Sequence, residues 1–94
     1  MNVFWTNKAI EQLKAIHDYH AQISPEYATR LVDLITKRSE QIANFPNSGR
    51  MLPEINLEQT REIIEANYRI IYYVGVDRID VLGVVHGQQK LSSF

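Results

Sequence analysis

The 94-residue chain has no cysteine. Disulfides, thiolate metal sites and thiol nucleophiles are thereby excluded, and a reducing cytoplasm is the expected compartment. No sign of charge prevails either. Ten Lys and Arg face eleven Asp and Glu, a net charge of -1. A domain that grips nucleic acid through its phosphates usually carries a basic excess. Here Arg50, Arg61, Arg69, Arg78 and Lys90 are interleaved with Glu54, Glu58, Glu62, Glu65, Asp77 and Asp80, so no basic stripe forms. The opening segment MNVFWTNKAIEQLKAIHDYH has a charge every few residues and no apolar run, so it reads as neither a signal peptide nor a membrane span. The four glycines do not fall in the spacing of a phosphate-binding or dinucleotide-binding loop. Repeats, linkers and low-complexity segments are lacking too, and the reading is one domain over residues 1–94.

What is present is strongly patterned. NVFW at 2–5 reads as a short strand. Thr6 is placed as a helix N-cap, and Ala9, Ile10, Leu13, Ile16 and Ile23 recur at roughly helical spacing, giving a helix over 7–21. Ser24-Pro25-Glu26 is a second start signal, because Pro at the first helical position gives up an amide that would be unbonded anyway. Ala28, Leu31, Val32, Ile35 and Ile42 mark a second apolar face, over 25–44. Glu26 with Arg30 and Asp33 with Lys37 are spaced as acid-base pairs. Pro46 disfavours helix at Phe45 and ends it.

The stretch FPNSGRMLPE, 45–54, follows as turn chemistry and serves mainly as a connector. Beyond it the period changes to two. QTREIIE at 59–65, YRIIYYVGV and RIDVLGVVH read as three strands, with tight turns at Ala66-Asn67 and Asp77-Arg78. In the middle strand Tyr68, Ile70, Tyr72, Val74 and Val76 share one face, and Arg69, Ile71, Tyr73 and Gly75 the other; both are mostly apolar, which makes this strand central. The order is β-α-α-β-β-β, an α+β fold with a helical hairpin packed on a small antiparallel sheet.

Functional candidates lie on the sheet and its flanks. Arg61, Arg69, Glu62, Tyr68, Tyr72, Tyr73 and His86 combine cations with proton-transferring groups, a set that fits RNA cleavage by general acid-base chemistry. The plainer reading puts Tyr72 in the core and pairs Arg61 and Arg69 with Glu62 or Glu65 across neighbouring strands. His17 and His20 are three apart on a helix but lack a third ligand, so no metal and no cofactor are expected.

The segments P-x-x-G-R-x-x-P-E, R-E and Y-R-I-I-Y, with FWTNKAIEQLKAI before them and IDVLGVVHGQQKL after, resemble the ParE/RelE superfamily of toxins from bacterial toxin–antitoxin modules, over nearly the whole chain. The resemblance implies a helical hairpin on an antiparallel sheet, and a cognate antitoxin that supplies the DNA-binding half. It also implies growth arrest by one of two routes: ParE-like members poison DNA gyrase, and RelE-like members cleave mRNA in the ribosomal A site. The lysines of the nuclease branch are replaced here by Thr60 and Glu62, its basic residue after the last strand falls near Gln88 or Gln89, and its C-terminal tyrosine is missing from KLSSF. The expected activity is therefore gyrase inhibition by binding, with Arg50, Arg61, Arg69, His86 and Lys90 as target-binding candidates. Leu91 and Phe94 are candidates for lining the antitoxin groove. The alternatives are a nuclease using Arg69, His86 and Glu62 or Glu54, with Arg61 in support, and a weak or inactive member, motivated by Gln88 and Gln89.

Overall fold

The computed structural model describes residues 1–89. Strand β1 (Asn2–Trp5) leads into helix α1 (Asn7–Ala21). The Thr6 side chain accepts from the Ala9 amide, and its hydroxyl donates to the Val81 carbonyl, so the cap also ties the helix to the sheet. Helix α2 (Pro25–Asn44) is capped by Ser24, which accepts from the Tyr27 amide, and ends at Phe45 just before Pro46. Both helices have the bounds read from the sequence. Ile23 lies beyond the end of α1 and is 90% exposed, so it is not part of the apolar face assigned to it. Arg30 lies over the Tyr27 ring.

A single 3₁₀ turn (Pro46–Ser48) opens the connector, and the two-residue strand β2 (Arg50–Met51) follows. Strands β3 (Thr60–Glu65), β4 (Tyr68–Val74) and β5 (Arg78–His86) complete a five-stranded sheet of order β1-β5-β4-β3-β2. From β2 to β5 every pairing is antiparallel, as the sequence pattern requires. β1 joins the far edge parallel to β5, which makes the whole sheet mixed. The first hairpin turns at Ala66-Asn67, with Ala66 in the left-handed region at φ 54. The second turn comes earlier than Asp77-Arg78. Gly75 to Asp77 make the bend, and Arg78 is already in β5, its carbonyl accepting from the Gly75 amide. Val76 therefore stands in solvent and not on the core face of β4.

One face of the sheet carries the core. Ile63, Ile70, Tyr72, Ile79, Val81 and Val84 pack under Ala9, Ile16, Leu31, Ile35 and Ile42 of the helices. Leu82 is skipped in the β4–β5 register, and the Gln12 side chain accepts from the Val84 amide beside this bulge. The outer face is covered only in part. Leu52, from the loop after β2, packs there on Ile71 and Val85.

Candidate functional site

Alternation along β3 and β4 sends Glu62, Arg69 and Ile71 to the outer face, opposite the helices. β2 lays Arg50 beside Glu62 by direct cross-strand register. The loop after β2 then doubles back across the same face with Leu52 as its apolar plug. These placements produce one chain of charges. Arg50 Nε donates to Glu62 Oε2. Arg69 Nε donates to Glu62 Oε1 at 2.5 Å, and its two terminal nitrogens donate to the two oxygens of Glu54 at 2.8 Å each.

Burial is graded along that chain. The Glu62 side chain is 0% exposed and that of Arg69 7%, whereas Glu54 is 38% and Arg50 62% exposed. An uncompensated charge at either inner position would be very costly, and each is paired on both sides or by two oxygens. The bidentate hydrogen bonds from Arg69, with Arg50 nearby, pull the Glu54 carboxyl down to about 2. Reciprocally, Glu54 first and Glu62 second push the Arg69 guanidinium further up. The four residues belong to the same short segments that carry the family resemblance: Arg50 and Glu54 in FPNSGRMLPE, Glu62 in TREI, Arg69 in NYRIIYYV. The connector is thus more than punctuation, since it supplies half of the outer-face network.

Arg61 has a different task. It sits across from Tyr72 and donates to the carbonyls of Glu58, Asn47 and Gly49 at 2.8, 3.3 and 3.0 Å. It therefore pairs with backbone oxygens, not with Glu62 or Glu65; Glu65 takes its hydrogen bond from Arg38 of α2. Tyr72 is core, as read. Its hydroxyl accepts from the Gly49 amide and donates to the Pro46 carbonyl, and burial pushes its pKa up.

His86 is not brought to Arg69. It pairs with Tyr68 across β4–β5, and their rings meet edge to face on the helix side of the sheet, whereas Arg69 pairs with Val85 on the outer side. The set Arg69, His86 and Glu62 is therefore divided by the sheet itself. His86 belongs instead to a cavity of about 490 Å³ at the open end of the helix layer, with Tyr19, His20, Tyr27 and Tyr68 around it. His20 is hydrogen-bonded to the Tyr68 hydroxyl at 2.9 Å, and burial, then Tyr27 and Tyr19, raise the Tyr68 pKa. His17 contacts Asp18 and takes no part. Among the described residues no group of three or more His, Asp or Glu is placed to hold a metal. Lys90, Leu91 and Phe94 lie outside the described residues.

Sequence reasoning grouped Glu54 with Arg69 only as a possible nuclease carboxylate and missed it as the ion-pair partner of Arg69, fifteen positions away; it also missed the aromatic cavity. The first had a signal, since a glutamate after Pro53 and a buried-strand arginine both need an opposite charge. The second had little, because Tyr19, Tyr27 and Tyr68 lie on three separate elements that meet only in the fold.

The comparisons agree with one another. The family described as ParE toxin of type II toxin-antitoxin system, parDE, matches residues 3–91. The protein called Toxin RelE2 of Caulobacter vibrioides is 30% identical over 84 residues, covering 89% of this chain and 92% of its own. The solved chromosomal ParDE system from P. aeruginosa superposes with a TM-score of 0.76 at 25% identity, over 92% of this chain and 95% of that one. The YoeB/ParE toxin from Agrobacterium tumefaciens shares the fold at a TM-score of 0.64 and 17% identity, over 92% and 98% of the two chains. Helical hairpin, sheet order and the charged segments of the outer face thus coincide with a match over nearly the full length, and the chain belongs to the ParE family of type II toxin–antitoxin toxins.

Proposed function

We propose that this toxin arrests growth by binding DNA gyrase and not by cutting mRNA, and that its cognate antitoxin neutralises it by occupying the toxin. The observation that carries this reading is the state of Arg69. A phosphate-binding arginine in a nuclease must offer free donors to the scissile phosphate and its transition state. Here the Nε and both terminal nitrogens of Arg69 are already bonded to Glu62 and Glu54, inside a nearly closed site. His86, the one histidine on the sheet, is on the opposite face. A protein that works by surface complementarity needs neither group free.

The test is direct. Purified toxin should inhibit supercoiling by gyrase and produce no A-site cuts in a translation extract. Untouched supercoiling at saturating toxin sinks the gyrase reading. A-site cleavage restores the nuclease reading, for which the name of the Caulobacter relative speaks. In cells, induction without antitoxin should depress DNA synthesis before protein synthesis.

A further inference from the structure

The loop from Leu52 to Gln59 crosses the outer face of the sheet, seated at its start by the buried Leu52 side chain and bonded to the sheet at both ends, yet its middle, Pro53 to Asn56, is held lightly. Its start is bonded by the Leu52 amide to the Thr60 carbonyl, and its end by Arg61 to the Glu58 carbonyl. Near its end the Leu57 and Gln59 carbonyls accept from the Thr60 and Val74 amides of β3 and β4, whereas from Pro53 to Asn56 the backbone bonds are internal to the loop, from the Ile55 and Asn56 amides to the Leu52 carbonyl. Asn56 holds the loop's bend in the left-handed region at φ 56. Glu54 supplies the side-chain bonds from this span to the sheet. Ile55 and Leu57 are exposed, so they add little grip.

Under the loop sits a complete carboxylate receptor. The Arg69 fork is oriented by Glu62, which is itself fixed by Arg50. With Glu54 present, two arginines face two glutamates. With Glu54 lifted away, two arginines face one glutamate, and the three residues together carry +1, with Arg50 at the exposed end. Directly across from Arg69 on β3 stands Ile64, an exposed aliphatic side chain on the same outer face.

We propose that Glu54 is a built-in ligand of this receptor, and that a partner protein segment can take its place. The segment would present a glutamate or aspartate to the Arg69 fork and an aliphatic residue to Ile64. The occupant is a carboxylate because the fork is already shaped to one at two equal bonds, and because the receptor holds a single net positive charge once the loop leaves. The tethered Glu54 competes at an effective concentration on the order of mM, so exchange requires a partner that makes further contacts. The receptor stands or falls whatever the toxin's target is.

The probe is a blocked peptide copying residues 52–58, LPEINLE, titrated into the full chain and read at the Arg69 side-chain NMR resonance. Glu54→Ala should bind it about ten-fold tighter than the unaltered protein, the gain expected where a tether on the order of 1 mM competes at a site of roughly 0.1 mM affinity. The same peptide with glutamine at its third position should lose that preference. Equal binding of both peptides, or no binding to a folded Glu54→Ala chain, overturns the proposal. A shift that appears at exposed Arg78 and not at Arg69 overturns it too. Should Glu54→Ala not fold, Glu54→Gln is titrated with the same deciding outcomes.

Discussion

Removing a single oxygen, by Tyr72→Phe, tests how the outer-face network is anchored. The Tyr72 hydroxyl is fully buried and joins two loop groups, accepting from the Gly49 amide at 3.0 Å and donating to the Pro46 carbonyl at 2.7 Å. Phenylalanine keeps the ring and its packing, so the transfer term is nearly unchanged. What is lost is two hydrogen bonds, and the Gly49 N–H and Pro46 C=O are left to find partners in a closed site. At roughly 0.5–1.5 kcal/mol for each bond, with the excess cost of a stranded buried group, the expected loss is about 2–3 kcal/mol. For a domain of this size that lowers the melting temperature by roughly 10–20 °C. Urea unfolding should show a lower midpoint with an unchanged slope, because the surface exposed on unfolding does not change. Tyr73→Phe is the control. Its side chain is 42% exposed on the other face, and its loss should stay within about 0.5 kcal/mol. A Tyr72→Phe loss no larger than that of Tyr73→Phe would show that the connector is held by other means, and the anchoring argument would fail.

Further outcomes follow from the same geometry. Glu62→Gln should destabilise by about 3 kcal/mol, since it strips a buried carboxylate from two arginines; chemical denaturation measures it. Gly49→Ala should cost about 1–3 kcal/mol, because a Cβ there would lie 2.5 Å from the Tyr72 hydroxyl and 2.6 Å from the Glu62 carbonyl, and the carbonyl cannot move aside. Glu54 titrates at about 2 in the fold, below its ordinary 4.5, so its contribution is complete above 4.5 and is lost as pH falls toward 2. The carboxylate is 38% exposed, so that contribution is discounted to about 1 kcal/mol. Thermal melts across this range should show a shallower acid slope for Glu54→Gln.

The helices were legible because their signals are local. Thr6, Ser24, Pro25 and Pro46 act on the neighbouring turn, and each ends or begins a helix where chain chemistry alone requires it. The three long strands were legible from alternation, and the α+β layering followed. The parallel seating of β1 was not, because NVFW would satisfy either edge or direction; what decides it is that Thr6 bonds back to Val81 across the sheet. The second turn was misplaced because Asp77-Arg78 has turn chemistry, yet Gly75 gives its amide to Arg78 and draws Arg78 into the strand. The spatial grouping of the candidate site residues was not legible. Arg69 and His86 looked like partners in a list of polar residues, but parity along two paired strands sends them to opposite faces.

That parity bears on what the Arg69 guanidinium can do. A catalytic arginine and a structural arginine can occupy the same strand position; what separates them is whether a neighbouring element brings a carboxylate to the fork. In this chain the connector does so, through a glutamate four residues after Arg50. The cost of burying Arg69 is then met inside the fold, and the same pairing leaves the guanidinium with little to offer a phosphate. Stability and phosphate chemistry compete here for one side chain. The outer-face network commits the Arg69 donors to Glu62 and Glu54, and it leaves Arg50 and Glu54 as its more exposed ends.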